Sequence, residues 1–290
     1  MNGFNMDKDW LSVASNVLFF IIFYILFSGG LQAAGLAFTG EKFLESDYEF
    51  TTFQYLFTSL LDLVASTLLT WYFLKRAGVS FRDLGFKVNF NQFLQAFVLG
   101  GIFIALAFVT FGILDLIETR PLPFNGSEFL MVTLFLFVAA LCEEIIFRGF
   151  FMKMMQKYVG VFWAVILSSL IFSLFHVFNP NVTIVGLLEI FLAGIAMAYA
   201  YFKTGNIWFV TVMHFAWNYV QTLLGFNVSG QDFYSFLEFS KIEESAVTGG
   251  KFGFEGSVFS SFAEVITIYI LSFITVKSLA YSCNYEYYLF

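Results

Sequence analysis

The chain has 290 residues, of which 59% are hydrophobic and 12% charged, with 44 phenylalanines and a net charge of −7. Soluble domains carry about a quarter charged residues, which this chain does not approach. The acidic balance excludes a nucleic-acid binder, for which a basic patch is expected. Two cysteines, Cys142 and Cys283, are too few for a disulfide framework or a cysteine-based zinc cluster.

The apolar residues come in long runs. A membrane-spanning helix needs about 20 mainly apolar residues to cross a hydrocarbon core about 30 Å thick. Scanning at that length predicts eight spans, at 10–38, 52–74, 93–117, 129–148, 159–178, 182–202, 206–224 and 257–280. Their length and lack of period-two alternation exclude barrel strands, so the backbone satisfies its hydrogen bonds as helices. The expected fold is all-α: a polytopic integral membrane protein of about eight transmembrane helices, a single membrane domain over 1–290.

The first span is preceded by Asp7, Lys8 and Asp9, which is not the basic leader of a signal peptide, and it is read as a true span. With the N-terminus inside, Lys8, Lys75, Arg76, Arg82, Lys87, Arg148, Lys153, Lys157, Lys203 and Lys277 fall on or near the cytoplasmic side. Only Lys42, Arg120, Lys241 and Lys251 fall outside, with most of the loop acids: Glu41, Glu45, Asp47, Glu49, Glu118, Glu128, Asp232, Glu238, Glu243, Glu244 and Glu255. The positive-inside rule then puts both termini in the cytoplasm. The 118–128 connection carries Pro121, Pro123 and Gly126, and 225–256, rich in glycine, reads as a flexible exterior loop.

Ionisable groups in hydrocarbon are costly and mark function, pairing or a water-filled cavity. Here they are Asp62, Asp115, Glu143, Glu144, His176, Glu189, His214 and Glu264, and both histidines of the chain are among them. Asp115 and Glu264 lie near predicted outer ends and are expected to reach water. Asp62 and Glu189 are deeper; no partner is legible for either, and a structural hydrogen bond is expected for Glu189. The fourth span ends with Glu143, Glu144 and Arg148. Glu144 and Arg148, four apart, share a helix face and can pair, whereas Glu143 turns away toward a different environment. A carboxylate facing a cavity is a general base for water; the bland alternative is a structural ion-pair cluster with Arg148 snorkelling to the interface. His214 and Asn218 are also four apart, and both can donate to a developing oxyanion. The abundant phenylalanines read as lipid-facing and packing groups.

Glu143-Glu144-x-x-x-Arg148, Phe172-x-x-x-His176 and His214-x-x-x-Asn218 resemble, in order, the three motifs of the CPBP family, which comprises CAAX-processing endopeptidases and bacteriocin-processing or immunity proteins and is also called Abi. Phe191-x-x-Gly194, Thr204-Gly205-Asn206-Ile207-Trp208 and Asp83-Leu84-Gly85-Phe86 are similar to the same family, whose motif-bearing core would cover about 129–220. The resemblance implies eight helices around an intramembrane catalytic cavity in the cell membrane. It also implies cleavage of a peptide bond in a lipidated or hydrophobic substrate. It assigns water activation to Glu143, oxyanion binding to His176, His214 and Asn218, and support to Glu144, Arg148 and Phe172. The same Glu143, His176 and His214 would be the ligands of a Zn²⁺, should a metal take part; no His-Glu-x-x-His motif is present, and a metal-free glutamate and water mechanism is preferred.

Two other classes fit the same chain: a non-catalytic membrane scaffold or bacteriocin-immunity protein keeping the fold, and a transporter using the membrane acids as a proton relay. Depth poses a constraint. Glu143 lies near the inner end of its span, His214 at mid-depth and His176 nearer the outer end. They meet only if the fourth helix runs past Arg148, to about Lys157, or the fifth is shifted inward; a long, tilted fourth helix is predicted.

Overall fold

The computed structural model describes residues 6–38 and 50–273, with the side chains of 6–10 and 12 left aside. Lys42, Glu41, Glu45, Asp47, Glu49, Lys277, Cys283 and the side chains of Asp7, Lys8 and Asp9 therefore lie outside the described residues. The architecture is all-α. The helices are α1 (Met6–Phe38), α2 (Thr52–Arg76), α3 (Phe90–Ile113), α4 (Gly126–Glu144), α5 (Lys153–Phe175), α6 (Ile184–Thr204), α7 (Ile207–Leu223) and α8 (Val258–Ser272). Each predicted span corresponds to one of them.

The expected count of eight crossings narrows, however. Five apolar stretches among the described residues are long enough to cross a membrane, and one of these, Gly126–Phe175, contains the fourth predicted span and most of the fifth. α7 has 17 residues and α8 has 15, short of the roughly 20 that a full crossing needs. The last predicted residues of the eighth span, 274–280, lie outside the described residues.

Polar side chains set the helix starts. Thr51 and Gln54 form a reciprocal capping box at α2, and Asn125, Thr183, Asn206 and Ser257 each accept a backbone N–H at the first turn of α4, α6, α7 and α8. α6 stops at Gly205, whose φ of 57° is left-handed. Its neighbour Asn206 donates Nδ2–H to the Lys87 carbonyl at 2.8 Å, and the Ile207 N–H meets the Gly85 carbonyl at 3.1 Å. A Cβ on Gly85 would lie 1.9 Å from the Gly205 carbonyl oxygen. The Asp83–Phe86 and Thr204–Trp208 motifs are thus one joint, clamping the start of α7 to the connection ahead of α3.

α4 does not end at Glu144. It continues through a π-helical stretch, Ile145–Met152, straight into α5, and the helical path breaks only at Gly160 (φ 78°, ψ 173°). The expected extension to about Lys157 is present. All eight π residues are buried. Wider π turns are frequent at functional sites, where they re-aim side chains from a helix.

At the end of the bundle where α3 gives way to α4, β1 (Ile117–Pro121) pairs antiparallel with β2 (Leu237–Ile242), from Ile117 opposite Ile242 to Pro121 opposite Leu237. This small sheet was not anticipated, and it corrects the reading of 225–256 as a flexible loop. Phe252, Phe254, Glu255 and Thr248 are buried there. The glycines serve close approach: a Cβ on Gly230 would sit 1.8 Å from the Pro180 carbonyl oxygen, and one on Gly253 1.9 Å from that of Asn227.

The main core is aromatic. The Phe20 ring of α1 stacks on Phe150 with centroids 3.9 Å apart, and Phe73, Phe150 and Phe151 close around it. Leu18, Phe19, Leu26, Leu106, Val109 and Phe262 instead point outward, as expected where the surrounding solvent is hydrocarbon.

Candidate active site

Glu143 and Glu144 close α4 side by side but in different surroundings. The Glu144 side chain is 0% exposed and the Glu143 side chain 33% exposed. Arg148 Nη1 donates to Glu144 Oε1 at 3.0 Å, and its Nη2 donates to the Gly194 carbonyl of α6, also at 3.0 Å. The predicted Glu144–Arg148 pair is therefore present, and Arg148 does not snorkel: it is fully buried. Lys153, counted with Arg148 among the inner cations, is buried as well, so neither is a loop charge. Gly194 earns its place because a Cβ there would meet Ser169 Cβ at 2.9 Å, which lets α6 close on α5 and present its carbonyl to the guanidinium.

His214 of α7 carries the chain onward. Its Nδ1 lies 2.8 Å from the same Glu144 Oε1 that accepts from Arg148, and its Nε2 lies 3.8 Å from Glu143 Oε2. The Glu144 carboxylate accepts, so Nδ1 bears the hydrogen and the imidazole is fixed with Nε2 toward Glu143. Glu143 Oε2 is buried with no hydrogen-bond partner.

His176 caps the C-terminus of α5, and its Nδ1 lies 2.8 Å from the Phe172 carbonyl. A carbonyl only accepts, so Nδ1 again carries the hydrogen and Nε2 is left available. Phe172 does more than lend its carbonyl. Its ring lies under the Arg148 guanidinium, 5.0 Å from centroid to Cζ, and packs 4.8 Å from the His176 ring and 6.1 Å from that of His214. This one ring ties the buried ion pair to both histidines.

Glu143, Phe172, His176, His214 and Asn218 all line one cavity of about 370 Å³. The depth constraint is thereby met: the helix running past Arg148 lets α5 present His176 to the space that Glu143 faces. The lining that comes from connections, at Asn179, Val228, Ser229, Gln231, Phe233 and Glu255, belongs to the hairpin end of the bundle. Five phenylalanines, Phe135, Phe147, Phe172, Phe175 and Phe233, also line it, so these serve the cavity as well as packing.

The remaining membrane acids are placed too. Asp62 accepts from Tyr24 Oη at 2.9 Å and Ser28 Oγ at 2.5 Å, both from α1. Glu189 accepts from Ser260 Oγ at 3.0 Å and from Ser261 Oγ. Asp115 is exposed beside Lys241 Nζ at 3.3 Å, as expected. Glu264 does not reach water: it is 2% exposed and lines the cavity. Its position near the start of α8 suggested an open end, but the folded 225–256 connection covers that end. Glu255 and Ser229, from the same connection, also line the cavity and escaped the sequence reading, which left the whole segment in solvent.

The candidate Zn²⁺ ligands do not form a ready site. Among the described residues no three His, Cys, Asp or Glu side chains are gathered closely enough to hold a metal ion.

Comparison with curated proteins gives no match. Comparison with protein families matches residues 125–220 to type II CAAX prenyl endopeptidases, Rce1-like. The matched segment contains Glu143, Glu144, Arg148, Phe172, His176, Gly194, His214 and Asn218. The segment 125–220, which supplies Glu143, His176, His214 and Asn218 to the cavity, is thus similar to type II CAAX prenyl endopeptidases, Rce1-like.

Proposed function

We propose that the protein is an intramembrane endopeptidase that hydrolyses a peptide bond in a lipidated or hydrophobic substrate, with Glu143 as the base that activates water. The observation that carries this reading is the run of polar side chains Arg148–Glu144–His214, hydrogen-bonded in series and followed at 3.8 Å by Glu143, at a cavity among the membrane helices. Arg148 and Glu144 are buried and bonded to each other, and further to Gly194 and His214, whereas Glu143 lines the cavity and its Oε2 has no hydrogen-bond partner.

In this mechanism water donates its proton to Glu143 while its oxygen attacks the scissile carbonyl carbon. The carbonyl π electrons move onto oxygen, and the oxyanion is met by Asn218 Nδ2–H and by His214 Nε2–H, with His176 Nε2 able to join them as a donor only when that ring is also protonated. As an oxyanion donor His214 acts as imidazolium; the set Glu143⁻, Glu144⁻, Arg148⁺ and His214⁺ is then electrically neutral, which suits a low-dielectric site. Collapse of the tetrahedral adduct expels the amine, which takes back the proton held by Glu143. Water is consumed, and one carboxylate and one amine leave.

Peptidase assays of the purified protein on quenched lipidated and hydrophobic peptides test this. Cleavage that persists with chelator is the expected result. Loss with chelator, restored by Zn²⁺, would replace the metal-free mechanism by a metal-dependent one, and no cleavage of any peptide in the panel would favour the scaffold.

The same reading places the protein in the cell membrane with both termini cytoplasmic and the hairpin end outside. In a Cys283→Ser background, a cysteine at exposed Glu118 should react with an impermeant maleimide in intact cells, and one at Arg82 only after lysis. The reverse pattern would invert the topology.

A further inference from the structure

The cavity has a feature that peptide hydrolysis alone does not explain. Glu189 in the second turn of α6, Glu264 in the second turn of α8 and Glu255 just ahead of α8 all line it. Two of the three are held by neutral donors. Glu189 accepts from Ser260 and Ser261. Glu255 accepts from Gln221 Nε2 at 3.2 Å, the Ser229 N–H at 2.8 Å and Ser229 Oγ at 2.7 Å. Glu264 differs: it is 2% exposed, and its Oε1 is buried with no hydrogen-bond partner.

Apart from Arg148 and His214, which belong to the catalytic chain and are balanced there by Glu143 and Glu144, no cation is at hand to balance them. Asp62, Glu143, Glu189, Glu255 and Glu264 line the cavity, and no lysine or arginine among the described residues does. Arg148 is engaged by Glu144 and Gly194 and is not part of the lining, and Lys251 pairs with Glu244 on the surface at 3.7 Å. Hydroxyl, amide and backbone donors orient carboxylates without neutralising them. Buried acids that converge without a counter-charge are costly, and in membrane proteins they mark the path of a ligand. A metal ion needs a tight set of ligands, which these acids do not form. An ammonium or guanidinium is satisfied by looser contacts with several carboxylate oxygens.

We propose that Glu189, Glu255 and Glu264 form a subsite for a basic side chain of the peptide substrate, with Glu264 as the carboxylate that the ligand completes. The assignment to a substrate rests on the endopeptidase reading. Its chemistry is specific: besides an apolar or lipidated portion, the substrate carries a lysine or arginine near the bond that is cut. The three acids and the catalytic chain share one cavity, so that residue and the scissile bond occupy it together.

Binding tests this independently of cleavage. Full-length protein carrying Glu143→Gln is placed in phosphatidylcholine nanodiscs, and fluorescent hydrophobic peptides are titrated in which one lysine is moved position by position, each against the same peptide with norleucine. At one position the lysine peptide should bind at least tenfold more tightly, about 1.4 kcal/mol. Adding Glu264→Gln, or in a separate variant Glu189→Gln, should reduce the preference below threefold while norleucine binding stays unchanged, which also shows that the variants fold. Equal binding at every position, or a preference that survives both substitutions, overturns the subsite. Loss of the preference on adding phosphatidylethanolamine assigns the acids to a lipid headgroup and overturns the substrate assignment. Selective binding without cleavage by the unsubstituted protein would sink the endopeptidase reading alone; cleavage without selectivity would sink the subsite alone.

Discussion

Glu143→Gln should lower kcat by about a thousandfold or more on any peptide the protein cleaves, with KM within about threefold and the fold intact. The substitution keeps size and hydrogen-bonding reach and removes only the ability to accept a proton from water. A positioned general base contributes about 10²–10⁴-fold, and a thousandfold corresponds to about 4 kcal/mol of transition-state stabilisation. Stability should not suffer, because Glu143 Oε2 has no hydrogen-bond partner to lose and the substitution removes a charge from a buried oxygen. The thermal midpoint should therefore stay level or rise. Glu144→Gln offers the contrast. It keeps a group against His214 Nδ1 but gives up the charge that Arg148 and His214 share, so both activity and stability should fall. Steady-state kinetics and thermal unfolding on the same preparations separate the two. A Glu143→Gln protein retaining activity within tenfold of the unsubstituted chain would remove Glu143 from the role of base. So would a variant whose lost activity tracks lost stability.

What the sequence disclosed follows from the range of the interactions involved. Glu144 and Arg148 are four apart on one helix, so their pairing is a local geometric consequence, and so is the divergence of Glu143 from them. Span positions are legible for a similar reason: the solvent constraint acts on each 20-residue window by itself. The partners of Asp62, Tyr24 and Ser28, come from another helix, as do those of Glu189, Ser260 and Ser261. No spacing rule reaches across 34 to 72 residues. β1 hid behind Arg120 and Pro121, which read as a turn, because a short edge strand next to proline lacks the alternation that marks longer strands. The same connection misled twice over. Its glycines suggested flexibility, yet at Gly230 and Gly253 they admit a carbonyl oxygen where any Cβ would collide, and the ordering that results is what buries Glu255 and covers Glu264. The π stretch, too, has no signature in Ile145–Met152; within it Arg148 meets Glu144 on its own helix and Gly194 of α6 at once.

That double engagement makes Arg148 the residue whose loss should cost the most stability. Arg148→Met preserves much of the side-chain volume and the contact with the Phe172 ring but leaves Glu144 as a fully buried carboxylate whose remaining partner is His214. Breaking a buried pair by removing one member costs about 3–5 kcal/mol, because the survivor keeps its desolvation penalty without its counter-charge. A fall in thermal midpoint on the order of 10 °C is expected at such a loss. Activity should fall with it, since Glu144 orients His214 and a carboxylate free to turn would release the imidazole. The double variant Glu144→Gln/Arg148→Met separates the causes. It removes both charges together, so it should recover most of the lost stability while the activity stays low, because a neutral amide cannot favour the imidazolium form of His214. Thermal unfolding of the three variants in one detergent gives the coupling energy. A coupling near zero would mean that the Arg148–Glu144 contact contributes packing alone, and the polar chain leading to Glu143 would then lose its anchor in the fold.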